Sequence, residues 1–201
     1  MEVVILKQKI VVATKNSGKI NEIREIFKDY EVLSIRDIEK ELSFNIVINE
    51  DKDTFSANAL EKVRCLYNEV GGKYICMADD SGLEIDYLSG FPGVKTARWM
   101  QGTDEEKNRE IIKKMGNASD RVCHYTTSIS IKGEGFEEVF SDTLDGVIGE
   151  SPTGNNGFGF DPIFYVNGRS LAEISMEEKL KISPRRKALE QSLKYLESKV
   201  K

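Results

Sequence analysis

Two aspartates stand side by side in Ala78-Asp79-Asp80-Ser81-Gly82-Leu83, directly after the apolar run Ile75-Cys76-Met77-Ala78. Carboxylates placed where a strand leaves a core are costly unless a cation or a proton partner is near. One or two such oxygen donors are what Mg²⁺ uses when it bridges to phosphate, and a positioned carboxylate can also take a proton from water. The same stretch, Asp79 to Gly82, reads as a turn, in which an aspartate often serves only its own backbone. On local grounds both readings stay open.

A second group of candidates is Thr14-Lys15-Asn16-Ser17-Gly18-Lys19, between a β-branched run and a helical pattern. Free backbone N–H groups and the helix dipole at such a junction favour an anion, and Lys15 and Lys19 add positive charge. It is not a Walker A loop, because it has one glycine and Ile20 follows Lys19. The alternative is a polar loop that merely caps a helix. Farther on, Glu50, Asp51 and Asp53 precede a helix whose Asn58 and Lys62 share a face, which locally reads as a solvated helix entry. In Gly157-Phe158-Gly159-Phe160-Asp161-Pro162 two aromatics between glycines suit either stacking on a nucleobase or plugging a core. Lys179 and Ser183-Pro184-Arg185-Arg186 gather basic groups where the last helix starts, and Arg offers fixed donors to a carbonyl or phosphate. His124 sits inside a strand pattern and is read as structural.

The elements that must position these residues follow from periodicity. Ile10 to Ala13 is a buried strand, followed by a helix with Ile20, Ile23, Ile26, Phe27 and Tyr30 on one face. A second helix spans about Thr54 to Val70 and is ended by Gly71-Gly72. Residues 75–78 and 83–88 read as strands on either side of the acidic turn, and Phe91-Pro92-Gly93 as loop. Thr103 with Glu106 starts a helix reaching Met115. Residues 122–132 and 136–149 form antiparallel strands around Gly133-Glu134-Gly135. Ser151 to Asp161 is loop, 163–166 a strand, Ser175 and Glu178 a capping box, and Ser183-Pro184 the start of a final helix. Helices mixed with parallel-capable and hairpin strands predict one mixed-sheet α/β domain over residues 1–201, with two lobes.

The formal charge of −5 argues against a nucleic-acid binder, so any anion site must come from local convergence of cations. Met1 to Val12 is too short and too broken by Lys7, Gln8 and Lys9 for a leader or a membrane span. Cys65, Cys76 and Cys123 make no C-x-x-C pair, so a reducing cytoplasm is the expected compartment.

In register, residues 13–23 (A-T-K-N-S-G-K-I-N-E-I), 54–59 (T-F-S-A-N-A), 78–83 (A-D-D-S-G-L), 90–99 (G-F-P-G-V-K-T-A-R-W) and 157–164 (G-F-G-F-D-P-I-F), with the tail E-E-K…I-S-x-R at 177–185, resemble the inosine/xanthosine triphosphate pyrophosphatase family. The resemblance spans nearly the whole chain. It implies an elongated two-lobed α/β fold with a central cleft, a homodimer, and Mg²⁺-dependent hydrolysis of a nucleoside triphosphate to the monophosphate and pyrophosphate. By position it implies that Thr14, Lys15, Asn16, Ser17, Gly18 and Lys19 hold the triphosphate. Asp80 would be metal ligand or general base, Glu50 the second metal carboxylate, and Ser81 a substrate contact. Phe158, Gly159, Phe160, Asp161, Lys179 and Arg185 would enclose and read the base. The expected substrates are ITP, dITP and XTP. One departure stands out: the family tail has Ser-His-Arg where this chain has Ser183-Pro184-Arg185. Proline suits a helix start but offers no imidazole to a base, so the choice of base is less constrained than the phosphate chemistry. A pyrophosphatase for other modified nucleotides and a non-catalytic nucleotide-binding module are the alternatives.

Overall fold

The computed structural model describes residues 7–43 and 45–200. The reading of Met1 to Val12 as neither leader nor span therefore rests in part on residues 1–6, outside that range. Among the described residues no helix is long and apolar enough to cross a membrane.

Strand β1 (Lys9–Val12) forms from Ile10, Val11 and Val12, all fully buried. Helix α1 (Ser17–Ile26) starts at Asn16, whose side chain accepts the Lys19 N–H. Strand β2 (Glu31–Ser34) and helix α2 (Ile35–Leu42) follow, α2 opened by a Ser34–Asp37 capping box. The sequence reading placed neither: four residues of strand and eight of helix are too few to show a period. Helix α3 (Phe55–Glu69) has Thr54 as N-cap, and Gly71 and Gly72 follow it at φ 63° and 69°.

Strand β3 (Ile75–Ile85) corrects the expectation at the acidic residues. Asp79 to Gly82 is no turn; the strand runs straight through it, and a 3-10 turn begins only at Asp86. Phe91-Pro92, expected as loop, is a two-residue strand β4 (Phe91–Pro92) paired antiparallel with the end of β3. Helix α4 (Asp104–Met115) carries the predicted Thr103–Glu106 capping box. Strands β5 (Val122–Gly133) and β6 (Phe136–Ile148) are joined through Glu134-Gly135, with Gly135 at φ 75°. Short strands β7 (Phe164–Val166) and β8 (Arg169–Ser170) follow, then helices α5 (Met176–Ile182) and α6 (Pro184–Lys199). The Arg186 N–H donates to Ser183 Oγ at 3.2 Å, so Ser183 caps α6 and Pro184 takes its first position.

The described strands form one eight-stranded sheet in the order β2-β1-β3-β5-β6-β7-β8, with β4 on β3. β1 is parallel to both β2 and β3, whereas β6–β7 and β7–β8 are antiparallel. The fold is thus α/β with a mixed sheet, as the sequence predicts. The chain divides into two compact units: unit 1 is residues 1–80, 128–141 and 187–201, and unit 2 is residues 81–127 and 142–186. In unit 1, Ile10, Val12, Ile75 and Met77 pack with α1 and α6, while Val11, Ala13, Cys76 and Ala78 pack with α2 and α3. This is the period-two alternation of buried strands covered on both faces. Unit 2 has its own core of Leu83, Ile85, Ile111, Met115, Ile163 and Phe164.

Candidate active site

In unit 1 the alternation along β3 decides where the two aspartates go. Asp79 follows Met77 onto the face covered by α1, and Asp80 follows Ala78 onto the face covered by α3. Each meets a lysine from the helix on its side. Lys19 Nζ, from the first turn of α1, donates to Asp79 Oδ1, and the Asp79 side chain is fully buried. Lys62 Nζ, from α3, donates to Asp80 Oδ1 at 2.9 Å and to Glu50 Oε1 at 2.8 Å. The strand does not turn at the acidic pair because both charges are answered inside the fold.

The two carboxylates are therefore not a joint donor pair, and the chemical grouping is Asp80, Glu50 and Lys62. Burial raises the Asp80 pKa, Lys62 opposes this, and Glu50 and Asp79 add to the rise. Burial works against the Lys62 ammonium, but Asp80 and Glu50 outweigh it and raise its pKa. Asp80 Oδ2 is buried and accepts no hydrogen bond among the described residues. That orphaned oxygen beside a second carboxylate is a hard-oxygen donor set, which fits an ion such as Mg²⁺ that takes few protein ligands and completes its shell with phosphate and water. Among the described residues no three His, Cys, Asp or Glu side chains group so as to hold a metal unaided.

Lys62 is the residue sequence reading missed. Asn58 and Lys62 were seen to share a face, but the helix entry was read as solvated; Asn58 is fully buried and Lys62 only 5% exposed. Asn58 holds the preceding segment, accepting from Lys52 N at 3.0 Å and donating to Lys52 O at 3.2 Å. No local signal marked Lys62, since its burial and that of Asn58 appear only once α3 is packed, and a buried cation then needs an anion. In the first loop, Thr14 Oγ1 accepts the Asn16 N–H and Asn16 caps α1, while Ser17 and Gly18 are exposed. Lys15 pairs with Glu39 at 3.0 Å, and its hydrogen bond holds the Glu39 carboxyl below its ordinary range.

Unit 2 gathers the remaining candidates. The two aromatics of the glycine loop part company: Phe158 is 59% exposed, whereas Phe160 lies in the unit 2 core. The Phe160 side chain is thus a core plug and no stacking surface. Lys179 Nζ sits 4.6 Å from the Phe158 ring centroid and donates to Asp161 Oδ2, which also accepts the Phe158 N–H at 2.8 Å. Gly157 adopts φ 81°, and a Cβ there would collide with the Asp161 carboxylate. The backbone of Gly159 is bound on both sides by α4: its N–H donates to Asp104 Oδ2 at 2.7 Å and its carbonyl accepts from Asn108 Nδ2 at 3.0 Å. Arg185, 7% exposed, donates from Nη2 to Ser81 Oγ at 3.1 Å. Pro184 is buried beside it. Lys179 also lines an open pocket of about 280 Å³ with Asn156, Gly157, Leu171 and Ile174. His124 lies between Asp145 and Asp86, at 2.7 and 3.2 Å.

Comparison with known proteins is consistent along the chain. The Ham1 family model matches residues 10–195. A dITP/XTP pyrophosphatase of Staphylococcus aureus is 39% identical over 194 residues, covering 94% of this chain and 96% of that protein. One from Symbiobacterium thermophilum is 38% identical over 196 residues, with 94% and 95% covered. Among solved structures, the Staphylococcus aureus Ham1 protein superposes with a TM-score of 0.86 at 36% identity, covering 96% of this chain and 100% of that one. A nucleoside-triphosphatase / dITP/XTP pyrophosphatase of Mycobacterium abscessus gives 0.77 at 33% identity, covering 92% and 99%.

Proposed function

The chain belongs to the Ham1 family, and from that premise we propose that it hydrolyses the non-standard purine nucleoside triphosphates ITP, dITP and XTP to the monophosphate and pyrophosphate, with Mg²⁺ held at Asp80 and Glu50. The observation that carries the site assignment is the Asp80–Lys62–Glu50 grouping, buried at Asp80 and Lys62, with its orphaned Asp80 oxygen. When bound, Mg²⁺ supplies charge neutralisation on phosphate oxygens. The chain's own residues do the rest. Asp80 orients a water and accepts its proton. Lys62 fixes both carboxylates. Thr14 to Lys19, at the N-terminus of α1, bind phosphate oxygens through backbone N–H groups and Lys19. Water adds in line to the α-phosphorus, the α–β anhydride bond breaks, and pyrophosphate leaves with the electron pair.

Base recognition is assigned to unit 2. Phe158 gives a stacking face, and Lys179 and Arg185 are cationic donors suited to the carbonyl of a 6-oxo purine; Gly159, Asp161 and Ser81 hold them in place. A 6-amino purine would confront these donors with another donor. Pro184 favours a second reading, a broader range of modified bases, because its side chain supplies neither donor nor acceptor at the start of α6, next to Arg185 in the chain. The free thiols of Cys65, Cys76 and Cys123 support a cytoplasmic setting. A homodimer is what the resemblance to the family implies, and light scattering tests it. The function is tested by pyrophosphate release from ITP, XTP, dITP, GTP, ATP and pyrimidine triphosphates, with Mg²⁺ and with chelator. Release from the first three, abolished by chelator, is expected; equal rates on ATP, or tight binding with no release, would refute it.

A further inference from the structure

We propose that Asp104 and Asn108 of α4 are positioning residues that hold Phe158 in place for the base, an inference that rests on the base assignment above. α4 carries none of the motif residues, yet two of its side chains, one turn apart on a single face, bind both main-chain groups of Gly159. Asn108 is 2% exposed, and its Oδ1 accepts no hydrogen bond among the described residues. A carboxamide buried at that cost is retained for the bond its Nδ2 makes. Asp104 lies at the start of α4, where a carboxylate is favourable to the helix, but here it also reaches out to the Gly159 N–H.

The consequence falls on the residue before. The Phe158 N–H is taken by Asp161, and the peptide after Phe158 is clamped by α4. Gly159 itself adopts φ 63°, a conformation that glycine enters freely and would as readily leave without the clamp. Phe158 thus presents an exposed ring from a backbone fixed on both sides, with Lys179 over its face. A pre-ordered aromatic binds a base without first losing loop entropy, so the clamp adds affinity for the base and none for the phosphates.

The test is calorimetric titration of wild type and variants with IMP and, separately, with inorganic pyrophosphate. Asp104 is exposed, so Asp104→Ala is expected to fold. It should weaken IMP by roughly 5-fold, the worth of one hydrogen bond, and leave pyrophosphate unchanged. Asp104→Asn keeps an oxygen able to accept the Gly159 N–H and should restore IMP binding. The KM for ITP should follow the IMP affinity across the three proteins. Unchanged IMP binding in Asp104→Ala, or equal loss of IMP and pyrophosphate, overturns the clamp. The functional reading is judged separately, by whether wild type releases pyrophosphate from ITP.

Discussion

Lys62 ties two carboxylates from different parts of the chain, Asp80 in β3 and Glu50 in the segment before α3, and it does so almost out of contact with water. Removing a buried ion's partner leaves charge uncompensated, which costs more than the pair itself contributes. Lys62→Ala should therefore destabilise the fold by about 3 kcal/mol, near the lower end for such losses because Glu50 is partly exposed. Denaturant unfolding checks this, and a stability like that of wild type would show that the carboxylates are satisfied without Lys62. The acidic pair and the glycine loop stood out by local chemistry, whereas Lys179 and Arg185 were singled out only through the family resemblance. The burial of Phe160 was not legible, because a loop aromatic that plugs a core and one that stays exposed look alike until the core around it exists.

At the scale of elements, the acidic stretch taught most. Asp-Asp-Ser-Gly is turn chemistry by local preference, but β3 is held between β1 and β5 and its charges are met by α1 and α3, so tertiary pairing overrides that preference. Local sequence could not show a lysine one helix away. The starts of the capped helices α3, α4, α5 and α6 were read to within a residue or two because their start signals are local. A second link between elements is Glu137 of β6, which accepts from Arg64 Nε of α3 at 3.0 Å and pairs with Lys132 of β5 at 3.0 Å. The Arg64 hydrogen bond leads in lowering the Glu137 pKa to about 2, with Lys132 adding to it. A depressed carboxylate contributes stability that is present above its unfolded pKa, about 4.3, and is lost as pH falls toward 2. Glu137→Gln should lower Tm at pH 7 by a few degrees and leave it unchanged near pH 2. A Tm difference that persists at the acid end would mean the residue acts through packing rather than charge.

For the whole molecule, the division into two units was invisible in composition, since its boundaries fall inside β3, β5, β6 and α6 and not in linkers. Each unit is assembled from separated stretches of chain, so neither is a contiguous piece that a glycine- or proline-rich junction would announce. The net charge of −5 likewise says little about an anionic substrate, because Lys19 and Lys62 work beside the acids that hold them. What joins residue, element and molecule is the claim that Asp80 is the catalytic carboxylate of a nucleoside-triphosphate pyrophosphatase. It is tested most directly by following ITP turnover and its products in wild type and in Asp80→Asn, with Tm measured on both. The account predicts IMP and pyrophosphate in equal amounts from wild type, and a loss of about 10²–10⁴-fold in rate for Asp80→Asn with the fold retained. Release of orthophosphate in place of pyrophosphate, or a wild-type rate from Asp80→Asn, would contradict it.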